Sequence, residues 1–222
     1  MEALNERGNI VYPDSDGEPM ADNTRQFNWI VVLKENLDAV LPDFVGGDLL
    51  WYPVEGDPKT RRAPDVLVAL GRPKGDRGSY RQWVEDNVAP QVVMEVLSPS
   101  NTVFEMTEKV DFYRHFGVHE LYILDPDTET LQGWMRSGES LSLVPVVGSF
   151  RSPLLGITFE LGEVIRVLHA DGTPFKTHRE LMGERDAAVQ RAEAEKSRAD
   201  SAEERARRLE ARLRELGVDP LA

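Results

Sequence analysis

One acid constrains this chain more than any other feature. Glu95 interrupts the apolar run Val92-Val93-Met94-Glu95-Val96-Leu97. A run this apolar reads as a central strand, covered on both faces of a sheet. A carboxylate inside such a strand costs several kcal/mol unless it is paired or coordinates a cation. Alternate strand residues share a face. Glu95 is therefore flanked by Val93 and Leu97, while Met94 and Val96 point the other way.

The segments around it supply the rest of a mixed sheet. A helix is expected from Thr24 to Val40, capped by Asp22 or Thr24 and stopped by Pro42. Its apolar stripe is Phe27, Ile30, Val31, Leu33, Leu37 and Val40. Strands are expected at Leu49–Val54, Asp65–Leu70 and Gln91–Leu97, with Gly71–Arg81 as a polar loop. A second helix, Thr102–Phe116, opens on the capping-box pair Thr102 and Glu105 and closes at Gly117. Further strands follow at Glu120–Leu124, Thr130–Met135, Ser140–Val146, Ile157–Leu161 and Val164–Leu168. The order predicts an α/β fold, a mixed sheet flanked by helices.

The tail has a different composition. Thr177 and Glu180 form another capping box, and the chain beyond is rich in Ala, Glu and Arg. Ala188, Ala192, Glu195, Ala199, Ala202, Ala206, Leu209, Leu213 and Leu216 recur in steps of four and three, a heptad seam. A seam this rich in alanine buries little area per knob, so it is marginal alone and gains by pairing with a second copy. A single exposed helix held by Glu–Arg pairs is the competing reading. The expected organisation is an irregular lead-in over residues 1–22, a main domain over 23–176 and a long coiled-coil helix over 177–222 that makes a homodimer.

Asp65, after Pro64 at a strand start, is a second candidate acid. If the two strands are neighbours, Asp65 and Glu95 converge, and a divalent cation relieves their repulsion. With no cysteine in the chain, an all-oxygen site favours a hard metal, Mg²⁺ or Mn²⁺. Such a metal polarises a phosphate and acidifies water. Lys109, about two turns into the second helix, can reach the same point and stabilise developing charge. Taken singly, Asp65 could cap a turn, Glu95 could pair with a buried Arg or Lys such as Lys109, and Lys109 could be an ordinary surface residue. His115, His119, His169 and His178 have no metal-ligand spacing and read as structural or surface residues.

Ala63-Pro64-Asp65-Val66, the Glu95-Val96-Leu97-Ser98-Pro99-Ser100 segment, Lys109 and Tyr113, and the stretch from Gly117-Val118 to Leu124-Asp125-Pro126 together resemble the Uma-two family. The resemblance spans residues 63–126. It implies a restriction-endonuclease-like fold of the PD-(D/E)XK nuclease superfamily, with Asp65 and Glu95 holding a metal. The superfamily's usual lysine lies two residues after the acid. Leu97 stands there in this chain, and Lys109 is the substitute donated from the helix. Ser98 at the strand end either orients Glu95 or turns the chain. For the further N-terminal acid, Glu18 of Asp16-Gly17-Glu18 is the candidate, with Glu35 behind it.

The implied activity is hydrolysis of nucleic-acid phosphodiesters, with DNA as the expected substrate. A catalytically inactive protein of the same fold, acting in nucleic-acid binding or assembly, is the alternative. The net charge of -13 argues against a protein that coats nucleic acid by charge alone. A local patch is the expected docking surface: Arg61, Arg62, Arg72, Lys74, Arg77 and Arg81, against a solvated loop as the plain reading. No long apolar stretch and no signal-peptide pattern is found at the start. With the absence of cysteine, this fits a cytoplasmic protein away from membranes.

Overall fold

A computed structural model describes residues 10–17 and 19–215, so Glu18 and Leu216 lie outside the described residues. The chain divides between Phe175 and Lys176 into two compact units. In the first, a helix α1 (Thr24–Val40) precedes strands β1 (Asp43–Gly47), β2 (Trp51–Tyr52), β3 (Val66–Pro73), β4 (Tyr80–Arg81) and β5 (Val92–Val96). Helix α2 (Val103–His115) leads to β6 (Glu120–Asp125), β7 (Thr130–Ser137) and β8 (Ser140–Val144). Three short strands close the unit: β9 (Ser149–Arg151), β10 (Thr158–Glu160) and β11 (Arg166–Leu168).

The main sheet has six strands in the order β1-β3-β5-β6-β7-β8. Within this sheet β5 and β6 pair in parallel and the other neighbours antiparallel, and α2 is the crossover between β5 and β6. That parallel pair requires a long connection, which the helix supplies. All five residues of β5 are buried, as a strand covered on both faces must be. One face carries Val92, Met94 and Val96 against Ile30, Leu33 and Leu37 of α1 and against Phe159 and Val167 of the β9–β11 sheet. The other carries Val93, Leu67 and Leu121 beneath Tyr113, with Met106 and Val110 of α2 packed alongside. Each fully buried large side chain contributes about 1.5–3 kcal/mol relative to its exposed state.

Several boundaries differ from expectation for identifiable reasons. The side chain of Asn23 caps α1 by accepting the Gln26 N–H at 2.9 Å, instead of Asp22 or Thr24. Phe27 and Val40, expected on the apolar stripe, are exposed, whereas Ile30, Leu33 and Leu37 of that stripe pack into the core. Strand β3 starts at Val66, one residue after Asp65, and continues through Gly71-Arg72-Pro73 where a loop was expected. Its outer end pairs across a bulge with β1, a strand that the glycines at 46 and 47 hide in the sequence. Gly117, at φ 92°, ends α2 in the left-handed conformation glycine tolerates.

The second unit is the helix α3 (His178–Glu215). The capping box forms: Thr177 accepts from the Glu180 N–H at 3.2 Å, and Glu180 accepts from the Thr177 N–H at 2.7 Å. Its side chains are exposed from Gly183 to Leu213, with Arg207–Glu203 and Arg208–Glu204 pairs at i,i+4. Among the described residues no helix is long and apolar enough to cross a membrane.

Candidate active site

Pro64 and the β3–β5 register place the first acid. Val66 pairs with Met94 in antiparallel fashion, so the next pair outward brings Asp65 beside Glu95. Asp65 is buried, and its Oδ2 accepts the Val96 N–H at 2.6 Å. Among the described residues, its other oxygen has no hydrogen-bond partner. The Val96 carbonyl accepts from Gln26 Nε2 at 2.9 Å, so α1 braces the strand that holds Asp65.

Glu95 is 2% exposed and points to the α2 face with Val93. Two α2 residues one turn apart meet it there, as the helical repeat allows. Lys109 Nζ lies 2.7 Å from Oε2, and the Tyr113 hydroxyl donates to Oε1. The three sequence-predicted residues, Asp65, Glu95 and Lys109, thus lie together. Burial first, then the Glu95 charge, holds the Asp65 carboxyl well above the usual carboxylate range. Lys109 and the Val96 N–H pull the other way. Burial works to lower the Lys109 pKa, but Glu95 and Asp65 outweigh it and the net shift is upward. Burial, then Glu95, pushes the Tyr113 phenol well above its ordinary value.

A third acid was not anticipated. Asp48 follows β1 at φ 45°, a conformation Asp tolerates better than most residues, and its N–H donates to the Asp65 carbonyl at 3.1 Å. Burial raises its pKa, followed by Asp16, while the Lys109 charge lowers it. Its only sequence signal is its place after Gly46-Gly47, which marks a tight chain reversal.

Asp16, Asp48, Asp65 and Lys109 line one cleft of about 740 Å³, with Lys59, Arg61 and Arg62 also on its wall. None of the four histidines lines it. The expected basic patch is split. Arg72 pairs with Asp86 at 2.5 Å, Arg77 with Glu85 at 2.6 Å and Lys74 with Asp38 at 3.2 Å. Lys74 and Arg77 border a separate pocket. Arg62 pairs with Glu108 at 3.6 Å and lies 5.6 Å from the Phe112 ring centre. Arg61 and Lys59 pair with no acid among the described residues.

Ser98 is elsewhere engaged. Its hydroxyl donates to Asp22 at 2.5 Å and its N–H to Asn101 at 2.9 Å, so it shapes the turn after β5 and makes no hydrogen bond to Glu95. Ser100 and Ser98 together hold the Asp22 carboxyl below its usual range. Glu35 is exposed and pairs with Lys34 at 3.0 Å.

Burial and the Glu95 charge disfavour a negative charge on Asp65, and a divalent cation beside the two carboxyls would offset that repulsion. Among the described residues no group of three or more Asp, Glu, His or Cys side chains stands ready to hold a metal. Mg²⁺ commonly uses only one or two protein carboxylates and keeps several waters, so an Asp65–Glu95 pair beside an open cleft fits it.

Residues 12–163 match the model of Uma2, described as "putative restriction endonuclease". The chain belongs to the Uma2 family. The matched span contains α1, α2 and every strand of the main sheet, and with them Asp48, Asp65, Glu95, Lys109 and Tyr113. Among solved structures, this Uma2 chain is similar to a "putative nuclease belonging to DUF820" from Anabaena variabilis ATCC 29413. The two share 17% identity over 60% of this chain and 79% of the other, with a TM-score of 0.40. No curated protein matches the chain.

Proposed function

We propose that this chain is a metal-dependent endonuclease that hydrolyses phosphodiester bonds, with DNA as substrate. The observation that carries the reading is the meeting of Asp65, Glu95 and Lys109 beside a cleft with cations on its wall. Family membership supports it. Asp65 and Glu95 would hold Mg²⁺ or Mn²⁺. When bound, the metal polarises the scissile phosphate and lowers the pKa of water. Lys109 carries its proton on Nζ and sets a positive charge where negative charge builds on the phosphate. Arg62 and Arg61 hold the flanking backbone. A plasmid-nicking assay tests this: supercoiled DNA should become nicked with Mg²⁺ and remain intact with EDTA. Equal nicking with and without EDTA removes the metal from the reaction.

A second reading, a catalytically silent protein that binds nucleic acid or assembles, draws on two observations. Leu97 stands at the usual lysine position, and Lys109 is already ion-paired with Glu95. A silent protein binds DNA but leaves plasmid intact at every Mg²⁺ concentration.

Phosphate contact by Arg62 has its own signature. Arg62→Ala should reduce the slope of log affinity against log salt by about one. Fluorescence anisotropy with a labelled duplex reads this in a cleavage-silent Asp65→Asn background. An unchanged slope removes Arg62 from the backbone contacts.

The proposed assembly is a homodimer through the seam of α3, and the absence of cysteine supports a reducing, cytoplasmic setting. A chain ending at Arg179 should then run as a monomer by light scattering, whereas the full chain runs as a dimer. A truncated chain that still runs as a dimer places the contact elsewhere.

A further inference from the structure

We propose that Tyr113 is a positioning residue that occupies one oxygen of Glu95, so that Lys109 and the divalent cation compete for the other. This rests on the metal-binding reading above. The geometry has three parts. Tyr113 is fully buried, and its ring stacks on buried Trp51 with centroids 6.5 Å apart and planes 2° from parallel. Phe112 packs edge-on against it at 5.8 Å. A ring so enclosed cannot swing away, and its hydroxyl keeps Oε1.

Lys109 is held differently. Its side chain is 24% exposed, against 2% for Glu95, and it ends a flexible four-carbon stem. Lys109 and Asp65 both line the cleft, whereas Glu95 does not. The ammonium therefore stands between the cleft and Oε2, the oxygen Tyr113 leaves over. A hard cation reaching Asp65 from the cleft completes its shell on Glu95 only by taking the place of Lys109. The displaced ammonium stays on the cleft wall, where its charge already acts on Asp48. A substrate phosphate would meet it there. Metal entry and the freeing of Lys109 for the phosphate are then a single exchange, and without metal the site is plugged.

An ordinary structural salt bridge makes the opposite prediction for metal affinity, so calorimetric titration of the full chain with Mn²⁺ at pH 8 separates the two. Lys109→Met and Lys109→Gln should each bind Mn²⁺ about tenfold or more tighter than wild type, because a competing charge has gone. General damage to the site only weakens binding. In a Tyr113→Phe background Glu95 can turn its second oxygen outward, and the gain from Lys109→Met should shrink below about threefold. Equal or weaker Mn²⁺ binding in both Lys109 variants, each melting cooperatively, overturns the proposal. A full gain in the Tyr113→Phe background overturns the part given to Tyr113. Absence of Mn²⁺ binding in wild type and variants alike takes the metal-dependent reading down with it, whereas wild-type binding without a gain defeats the competition alone.

Discussion

Glu95→Ala and Asp65→Ala each reduce the rate of plasmid nicking by about a thousandfold or more, the loss expected when a charged group serving the transition state is removed. The two changes act on one site, so the double variant is scarcely worse than either. The fold survives both. Glu95→Ala leaves Lys109 and Tyr113 without their shared acceptor, a cost of roughly 1–3 kcal/mol. Lys109 recovers part of this because it already reaches the cleft. Asp65→Ala strands only the Val96 N–H. Single-turnover nicking with Mg²⁺, alongside thermal melting by circular dichroism, reads both quantities. Nicking at the wild-type rate in both variants removes the pair from catalysis and the proposed activity from this site.

The largest stability effect belongs to a different buried acid. Glu120 on β6 is 2% exposed and accepts from the Tyr122 hydroxyl at 2.9 Å, the Ser152 hydroxyl at 2.5 Å and the Leu154 N–H at 2.8 Å. It fastens the segment before β10 to the sheet, beside Phe159, whose ring centroid is 4.7 Å from that of Tyr122. Glu120→Ala orphans two buried hydroxyls and the half-buried Leu154 N–H and opens a void, a loss of roughly 3–5 kcal/mol. For a chain of this size that lowers Tm by about 10 °C. Glu120→Gln keeps the shape and one acceptor and loses less. Glu120 lies outside the cleft, so nicking measured well below Tm stays at the wild-type rate. A Tm change within about 2 °C for Glu120→Ala shows that this network adds little to stability.

Glu120 and Glu95 show how one strand pattern hides two roles. Both are acids in apolar runs, and both are almost fully enclosed. Glu120 reads from the sequence as the polar first residue of a strand, yet it is satisfied by hydroxyls and an amide drawn from another segment. Glu95 stands in mid-strand and meets an ammonium and a phenol from α2 beside a cleft. Burial does not distinguish them. The difference lies in which elements the sheet brings over each face.

Local signals settled the local structure. α1 runs over the span its periodicity and Pro42 require, α2 and α3 start at their capping boxes, and β5 is enclosed as an all-apolar strand must be. These rest on interactions within a few residues, which the order of side chains specifies by itself. Glu95 stood out for the same reason, since its neighbours along the strand are visible in the primary structure. Asp48, Gln26, Tyr113 and the Asp22–Ser98 bond belong to another level. Each acquires its role from a partner at a distant point of the chain, reached by strand register or helix placement. Five of the six cations likewise lie near one another along the chain but in two environments in space, because acids from other segments neutralise Arg72, Lys74 and Arg77 and leave Arg61 and Arg62 to the cleft. Backbone propensity and hydrophobic period act over one or two turns, whereas charge pairing depends on the whole chain closing up, and only tertiary structure records that.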